Sequence, residues 1–251
     1  MRIYYEGIES ATITTSATPA PGYPVTNLQD RSPYTSFISN FSAVGSNIVI
    51  DFGSARACDY VALINYTADS RTDMDIAWST NNVSYTNVET GIDVGGSAAQ
   101  FVRTFTTATK RYWRLIFKDG DVEYSKDVSI ATILIGTIFE PASNPNINET
   151  YNVSNAVETL EAQGGQSYAS LTNTLQRKRW EYQFNYVSEA DRTKWLAMDS
   201  TIKTSNKFSL WPFLVYAHNS TFYYGRMIGE MSIQQIAYQA YQLNFDFRTE
   251  F

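Results

Sequence analysis

The chain has 251 residues, a formal net charge of −6 and only 18% charged residues. No run of Lys and Arg offers the basic face that non-specific nucleic-acid binding needs to neutralise phosphates. Tyrosine, phenylalanine and tryptophan are plentiful, which suits strands and interfaces rather than a helical bundle or a disordered chain. The single cysteine, Cys58, precludes an intramolecular disulfide and a Cys-rich metal site, and its setting, ARACDYVALI, predicts a buried small hydrophobe. One histidine, His218, in a polar turn, is too little for a metal cluster and is read as structural.

The N-terminal stretch MRIYYEGIESATI has no uninterrupted apolar core, and no apolar run approaches the roughly 18 residues of a membrane span. The expectation is a product made in the cytoplasm of its host cell, with no membrane span. Strand signals follow in order. NLQDRSPYTSFIS (27–39) reads as a loop entering a short strand, then come SNIVIDFG (46–53), DYVALINYT (59–67) and MDIAWST (74–80). AQFVRTFTT (99–107), RYWRLIFKD (111–119) and SIATILIGTIF (129–139) complete the series, separated by turn-formers at Asn81-Asn82, Gly95-Gly96 and Asp119-Gly120. RYWRLIFKD places Tyr112, Arg114 and Ile116 on one face and Trp113, Leu115 and Phe117 on the other. With no helix between them, these strands are expected to pair antiparallel and pack as a sandwich.

The order of these signals resembles the discoidin, or F5/8 type C, family of galactose-binding-like jelly rolls over about 110 residues. The resemblance implies ligand-gripping loops at one end of the sandwich. Tyr34, Arg71 and Asn82 have the chemistry for a sugar, an aromatic platform with planar polar groups. It also implies a structural calcium in the first loop, for which Asp30 and Thr35 match the side-chain ligands. Phe37 stands where the family usually has Trp, and Ala131 where it often has a ligating Glu, which counts against the ion.

EPASNPNIN (140–148) reads as a linker between a domain at 1–139 and another at 149–251. ETYNVSNAVETLEAQGGQSYASLTN predicts a strand and a Gly164-Gly165 turn. LQRKRWEYQFNYV (175–187) predicts a long strand with Trp180, Tyr182, Phe184 and Tyr186 on one face. Ser188 reads as an N-cap, with Glu189 and Asp191 at the positive end of a helix running to about Lys203. Its apolar stripe is Trp195, Met198 and Ile202, with Leu196 beside them, and Asn206 is a stop. FSLWPFLVY, STFYYGRMIGEMSI and AYQAYQLNFDFRTEF return to strands, with Pro212 marking an edge or bulge.

Strands, one helix over them and more strands resemble the tail-tube fold of phage tail proteins. The pattern carried by Gly164, Gly165, Tyr168, Arg177, Arg179, Trp180, Tyr182, Phe184, Ser188, Asp191, Leu196 and Asp199 resembles minor and distal tail proteins of long-tailed phages. The resemblance implies a mainly β chain: an N-terminal jelly-roll β-sandwich, then a tail-tube-like β domain with one packed helix. It further implies a virion protein of the tail tip or baseplate. Such a protein forms a ring, a hexamer in the first instance, and contacts the tail tube and hub or fibre proteins. Arg177, Lys178, Arg179 and Trp180 are candidates for the assembly interface, and the sandwich for contact with a host glycan or a neighbouring protein. The alternative is a non-viral carbohydrate-binding module protein with an accessory β domain. No P-loop or dinucleotide glycine pattern occurs, and Asp73 and Asp75 on one strand face read as solvated, so no enzyme is expected.

Overall fold

A computed structural model describes residues 1–41, 46–119, 126–148, 156–161, 167–173, 178–203, 212–216 and 221–250. The expected turns at Gly120 and Gly164-Gly165, the cation Arg177, the stop at Asn206 and His218 lie outside the described residues. The chain is mainly β, with antiparallel sheets and, among the described residues, one α-helix. It divides into two compact units, Arg2–Phe139 and Glu140–Phe251 with Met1.

The first unit contains β1 (Arg2–Tyr4), β2 (Thr12–Thr15), a 3-10 turn at Val25–Gln29, β3 (Phe37–Phe41) and β4 (Ser46–Ala68). β5 (Thr72–Ser79), β6 (Thr86–Asp93), β7 (Gly96–Asp119) and β8 (Lys126–Gly136) follow. The ladder runs β3-β8-β4-β7-β5-β6, with β2 added to β4. Two pairs of segments that read as separate strands are continuous. SNIVIDFG and DYVALINYT are both β4, and AQFVRTFTT and RYWRLIFKD are both β7. Their antiparallel pairing is one long ladder that bends where the register shifts between Asp51 and Arg56 and again between Cys58 and Tyr60. Gly53 takes a positive φ of 74° at the first bend, where its N–H donates to Asp51 Oδ1 at 2.8 Å.

The bends fold the β4–β7 ladder back on itself and so create the two layers. Ser46–Asp51 pairs with Tyr112–Phe117 and with β2, while Tyr60–Thr67 pairs with β8. The far ends meet at the short turn between Ala68 and Thr72, where Val94 N–H donates to the Thr72 carbonyl at 3.0 Å. Side chains from both layers enclose one core. Ile48, Ile50, Met74, Ile76, Trp113, Leu115 and Phe117 face Phe37, Val61, Leu63, Ile130, Ile133 and Ile135. This alternation is the period of a half-buried strand, with Arg114 and Ile116 falling outside as expected.

In the second unit β13 (Phe213–Tyr216), β14 (Phe222–Ala237), β15 (Ala240–Thr249), β12 (Arg179–Ser188) and β9 (Asn146–Asn148) pair in that order, with β10 (Ala156–Glu161) and β11 (Ser167–Asn173) as a separate hairpin. β9 falls inside the stretch expected to be linker: a three-residue edge strand needs few backbone donors, and it begins just after Pro145. Trp180, Tyr182 and Phe184 are buried, but Tyr186 is 59% exposed and Val187 is buried in its place. A register shift between Phe184 and Val187 reverses the alternation there.

The α1 helix (Glu189–Lys203) begins where Ser188 Oγ accepts from Asp191 N–H at 3.1 Å, the bond of an N-cap. Trp195, Met198 and Ile202 are buried, with Trp195 5.1 Å from Phe184 and 5.4 Å from Phe245 between ring centroids. Leu196 is not part of the stripe; one position round from Trp195, it is exposed. Asp191 is buried, and its Oδ2 accepts from Ala142 N–H at 3.0 Å.

Candidate functional site

The loop after the 3-10 turn presents Tyr34, which is 61% exposed. Its backbone is fixed from several sides. Asn27 Nδ2 donates to the Ser36 carbonyl at 2.7 Å, and Asn65 Nδ2 donates to the Pro33 carbonyl at 2.7 Å. Asn65, with φ 46°, sits in the left-handed region, as Asn does more readily than most residues. Ser32 N–H donates to Asp30 Oδ1 at 2.8 Å, and Thr35 Oγ1 donates to Asp30 Oδ2 at 2.6 Å. Beneath them Arg31, 2% exposed, pairs with Glu9.

This geometry decides how far Asp30 and Thr35 fit a calcium ion. They are brought together, but each carboxylate oxygen already accepts from the loop itself. Ala131 is fully buried and supplies no carboxylate at the position the resemblance points to. Among the described residues no group of three or more His, Cys, Asp or Glu is placed to hold a metal. One carboxylate and one hydroxyl supply only part of the roughly six to eight oxygens calcium takes, so backbone carbonyls or waters would have to supply the rest.

Arg71 lies in the turn between β4 and β5, exposed, its N–H donating to Asp69 Oδ1 at 3.2 Å. This turn and the Tyr34 loop lie toward the same end of β4, since Pro33 is held by Asn65 and the turn begins after Ala68. Asn82 is elsewhere. It lies after Ser79, at the other end of β5, and eight strand residues at about 3.3 Å each hold the two turns more than about 20 Å apart. The structure therefore groups Tyr34 with Arg71 and leaves Asn82 near the bend of the β4–β7 ladder.

The Asn82 turn is tightly specified. Ser79 Oγ accepts from the N–H groups of Asn81 and Asn82 at 3.2 and 3.1 Å, and Asn81 Oδ1 accepts from those of Val83 and Ser84 at 3.0 and 3.1 Å. Asn82, at φ 61°, accepts from the Tyr85 hydroxyl. Tyr85 in turn covers Arg114, whose guanidinium carbon is 3.8 Å from the ring centroid. Tyr112 stands next to Arg114 on the same face, and Arg111 forms a two-pronged pair with Asp51 at 2.7 and 2.9 Å.

The electrostatics follow this arrangement. The Arg111 guanidinium holds the Asp51 carboxyl below the usual carboxylate range, helped by the Gly53 N–H. Burial pushes the Tyr85 phenol up, with Arg114 acting in the opposite direction. The sequence signal for this cluster was the placement of Tyr112 and Arg114 on one strand face. Nothing in the sequence linked it to Tyr85, because the link is made across the β5–β6 turn. Asp75, expected to be solvated, is buried and paired with Lys118 at 2.7 Å.

In the second unit, Lys178 and Arg179 are exposed. Lys178 Nζ lies 5.5 Å from the centroid of the Tyr223 ring, and Arg179 pairs with Asp246 across the ladder. Trp180 is not available to an assembly interface. It is buried against Tyr223 and Phe247, at centroid distances of 4.4 and 6.0 Å, because it points to the core face of β12. Among the described residues of this unit, Tyr186, Leu196, Ile236 and Tyr238 are exposed, the last two side by side at the β14–β15 hairpin at 51% and 87%.

No family model matches the chain, and no curated protein does. Solved structures do resemble it. A Clostridium perfringens module, CpGH89CBM32-5, solved with GalNAc-β-1,3-galactose, has 11% identity and a TM-score of 0.45, covering 53% of this chain and 100% of its own. Chitosan-binding module 1 of a chitosanase/glucanase from Paenibacillus sp. IK-5 has 20% identity and a TM-score of 0.44, covering 53% of this chain and 99% of its own. A carbohydrate-binding module of AlyQ, solved with 4,5-unsaturated mannuronic acid, has 29% identity and a TM-score of 0.41, covering 54% of this chain and 97% of its own. No helix among the described residues is long and apolar enough to cross a membrane.

Proposed function

We propose that the first unit binds a glycan through the Tyr34 loop, and that the whole chain is a structural protein of a phage tail tip. The observation that carries the glycan reading is Tyr34. It is a widely exposed aromatic ring on a loop already fixed by Asn27, Asn65 and Asp30, so its presentation adds little ordering cost on binding. An aromatic face matches the apolar face of a sugar ring, and Arg71 in the adjoining turn supplies planar donors for hydroxyls. The test is a glycan array with the full chain, followed by titration of the best ligand against Tyr34→Ala and Arg71→Ala. Loss in both variants with unchanged melting supports the site, and binding that survives both removes it.

The assembly reading rests on the second unit. Its β14–β15 hairpin carries Ile236 and Tyr238 into solvent, the exposed apolar surface a neighbouring copy or tail protein would cover. Light scattering with negative-stain images of the full chain tests it. Rings with a central hole support a virion role, with the tail tube and hub or fibre proteins as partners. A monomer that binds glycan favours the other reading, a carbohydrate-binding module with an accessory β domain.

A further inference from the structure

We propose that the outer face of β7 carries a second ligand site, separate from the Tyr34 loop, for the carboxylate of an acidic saccharide, with Arg114 as its anchor. Three other cations near this face have their own acids, Arg111 with Asp51, Lys118 with Asp75, and Arg103 with Glu89 at 2.6 Å, and Lys110 lies 3.8 Å over the Trp78 ring. Arg114 has no acid among the described residues. It pairs across the sheet with Val49 on β4 and Ala77 on β5, neither of which can accept a hydrogen bond through its side chain. Its Nε is closed to solvent and without a hydrogen-bond partner, while the residue as a whole is only half-buried.

With Nε enclosed, the terminal nitrogens are the atoms open to a ligand, and an anion there would offset part of the cost of holding this charge on the sheet without an acid. The two terminal nitrogens of a guanidinium form a planar fork that matches a carboxylate with two parallel bonds. The site is also held in place. Tyr85 covers Arg114, and Asn82 receives the Tyr85 hydroxyl from a turn whose backbone is fixed by Ser79 and Asn81. Asn82 is thus a positioning residue rather than a direct contact.

The surroundings favour a saccharide over a compact anion. Arg114 is flanked by the Tyr85 ring that covers it and by Tyr112, two residues along the same strand face. Thr14 and Asn87, both exposed, lie at the two ends of the cross-sheet row through Val49, Arg114 and Ala77. Four strand spacings of about 4.8 Å set Thr14 and Asn87 about 19 Å apart, a span that suits an oligosaccharide rather than a single ring, and Ala77 is fully buried within the row.

The experiment is calorimetric titration of the full chain with oligogalacturonate, with a neutral oligogalactose and with a glutamate-containing peptide. Oligogalacturonate binding that weakens about ten- to a hundredfold in Arg114→Gln, with Arg114→Lys in between, is the expected result, since the lost contact is a charge-assisted fork. Circular dichroism melts matching the parent exclude unfolding as the cause. Loss of oligogalacturonate binding in Tyr34→Ala would place that binding at the Tyr34 loop and overturn the assignment. Absence of oligogalacturonate binding, equal binding by Arg114→Gln, or equal binding of the glutamate peptide would each overturn the assignment.

Discussion

The Asn65 side-chain amide donates to the Pro33 carbonyl at 2.7 Å, so the strand at the middle of the first unit's ladder also fixes the loop that displays Tyr34. Asn65 does two jobs at one position, since its backbone also occupies the left-handed region at φ 46°. Asn65→Ala is expected to cost about 1–3 kcal/mol, from the lost bond and the less tolerant backbone. Asn65→Gly removes the bond alone and should cost less. Urea denaturation of the two variants checks the order. If glycan binding uses Tyr34, both should weaken it while leaving the ring itself intact.

Trp180 and Tyr238 should part company under mutation. Trp180→Ala empties a site packed by Tyr223 and Phe247 and is expected to cost about 3–5 kcal/mol, seen as loss or marked lowering of the second unit's thermal transition. Tyr238→Ser removes a ring already in solvent and should change stability by no more than about 0.5 kcal/mol. Under the assembly reading, Tyr238→Ser nonetheless lowers the native mass measured by light scattering. An unchanged mass in a protein that does assemble would remove the hairpin from the interface.

The pair between Arg31 and Glu9 is a second contrast, against Arg103 and Glu89. Glu9→Ala leaves a nearly fully buried guanidinium without its acid and is expected to cost about 3 kcal/mol. Glu89→Ala breaks a pair open to solvent and should cost under about 1 kcal/mol. Equilibrium unfolding of both variants in the same buffer gives the comparison.

Burial pushes the Cys58 thiol up to about 12 from 9.0. The folded state therefore holds its proton more tightly than the unfolded state. The corresponding stability is complete below about pH 9 and falls as the pH climbs from 9 toward 12. A thiol reagent at pH 8 should react only after denaturant is added. Rapid labelling of the folded protein would contradict the buried environment.

Some of this architecture was legible in the sequence and some was not, and the division follows the range of the interaction responsible. The α1 limits and the Ser188 cap depend on neighbours a few residues away, and the buried set of Trp195, Met198 and Ile202 follows from helical spacing. The inward faces of β7 and β12 obey simple alternation up to Phe184, where a bulge transfers burial from Tyr186 to Val187. Bulges are set by the partner strand, so the sequence of β12 alone does not reveal one. The same reason hid the continuity of β4 and β7, whose polar bend GSARA reads as an interruption. The grouping of Tyr34 with Arg71, and of Asn82 with Tyr85 and Arg114, depends on which strand ends meet. That information lies in the ladder and not in any local stretch.

The paired bonds between Ile3 and Phe139, both 2.9 Å, bring the first and last residues of the first unit side by side. A unit whose entrance and exit coincide can be inserted into a loop of another chain without prising its host apart. The same adjacency permits circular permutation: a short bridge joining these ends, with a new opening among the exposed residues Gly53–Ala55 at the bend of β4, would cut no paired residue of the β4–β7 ladder.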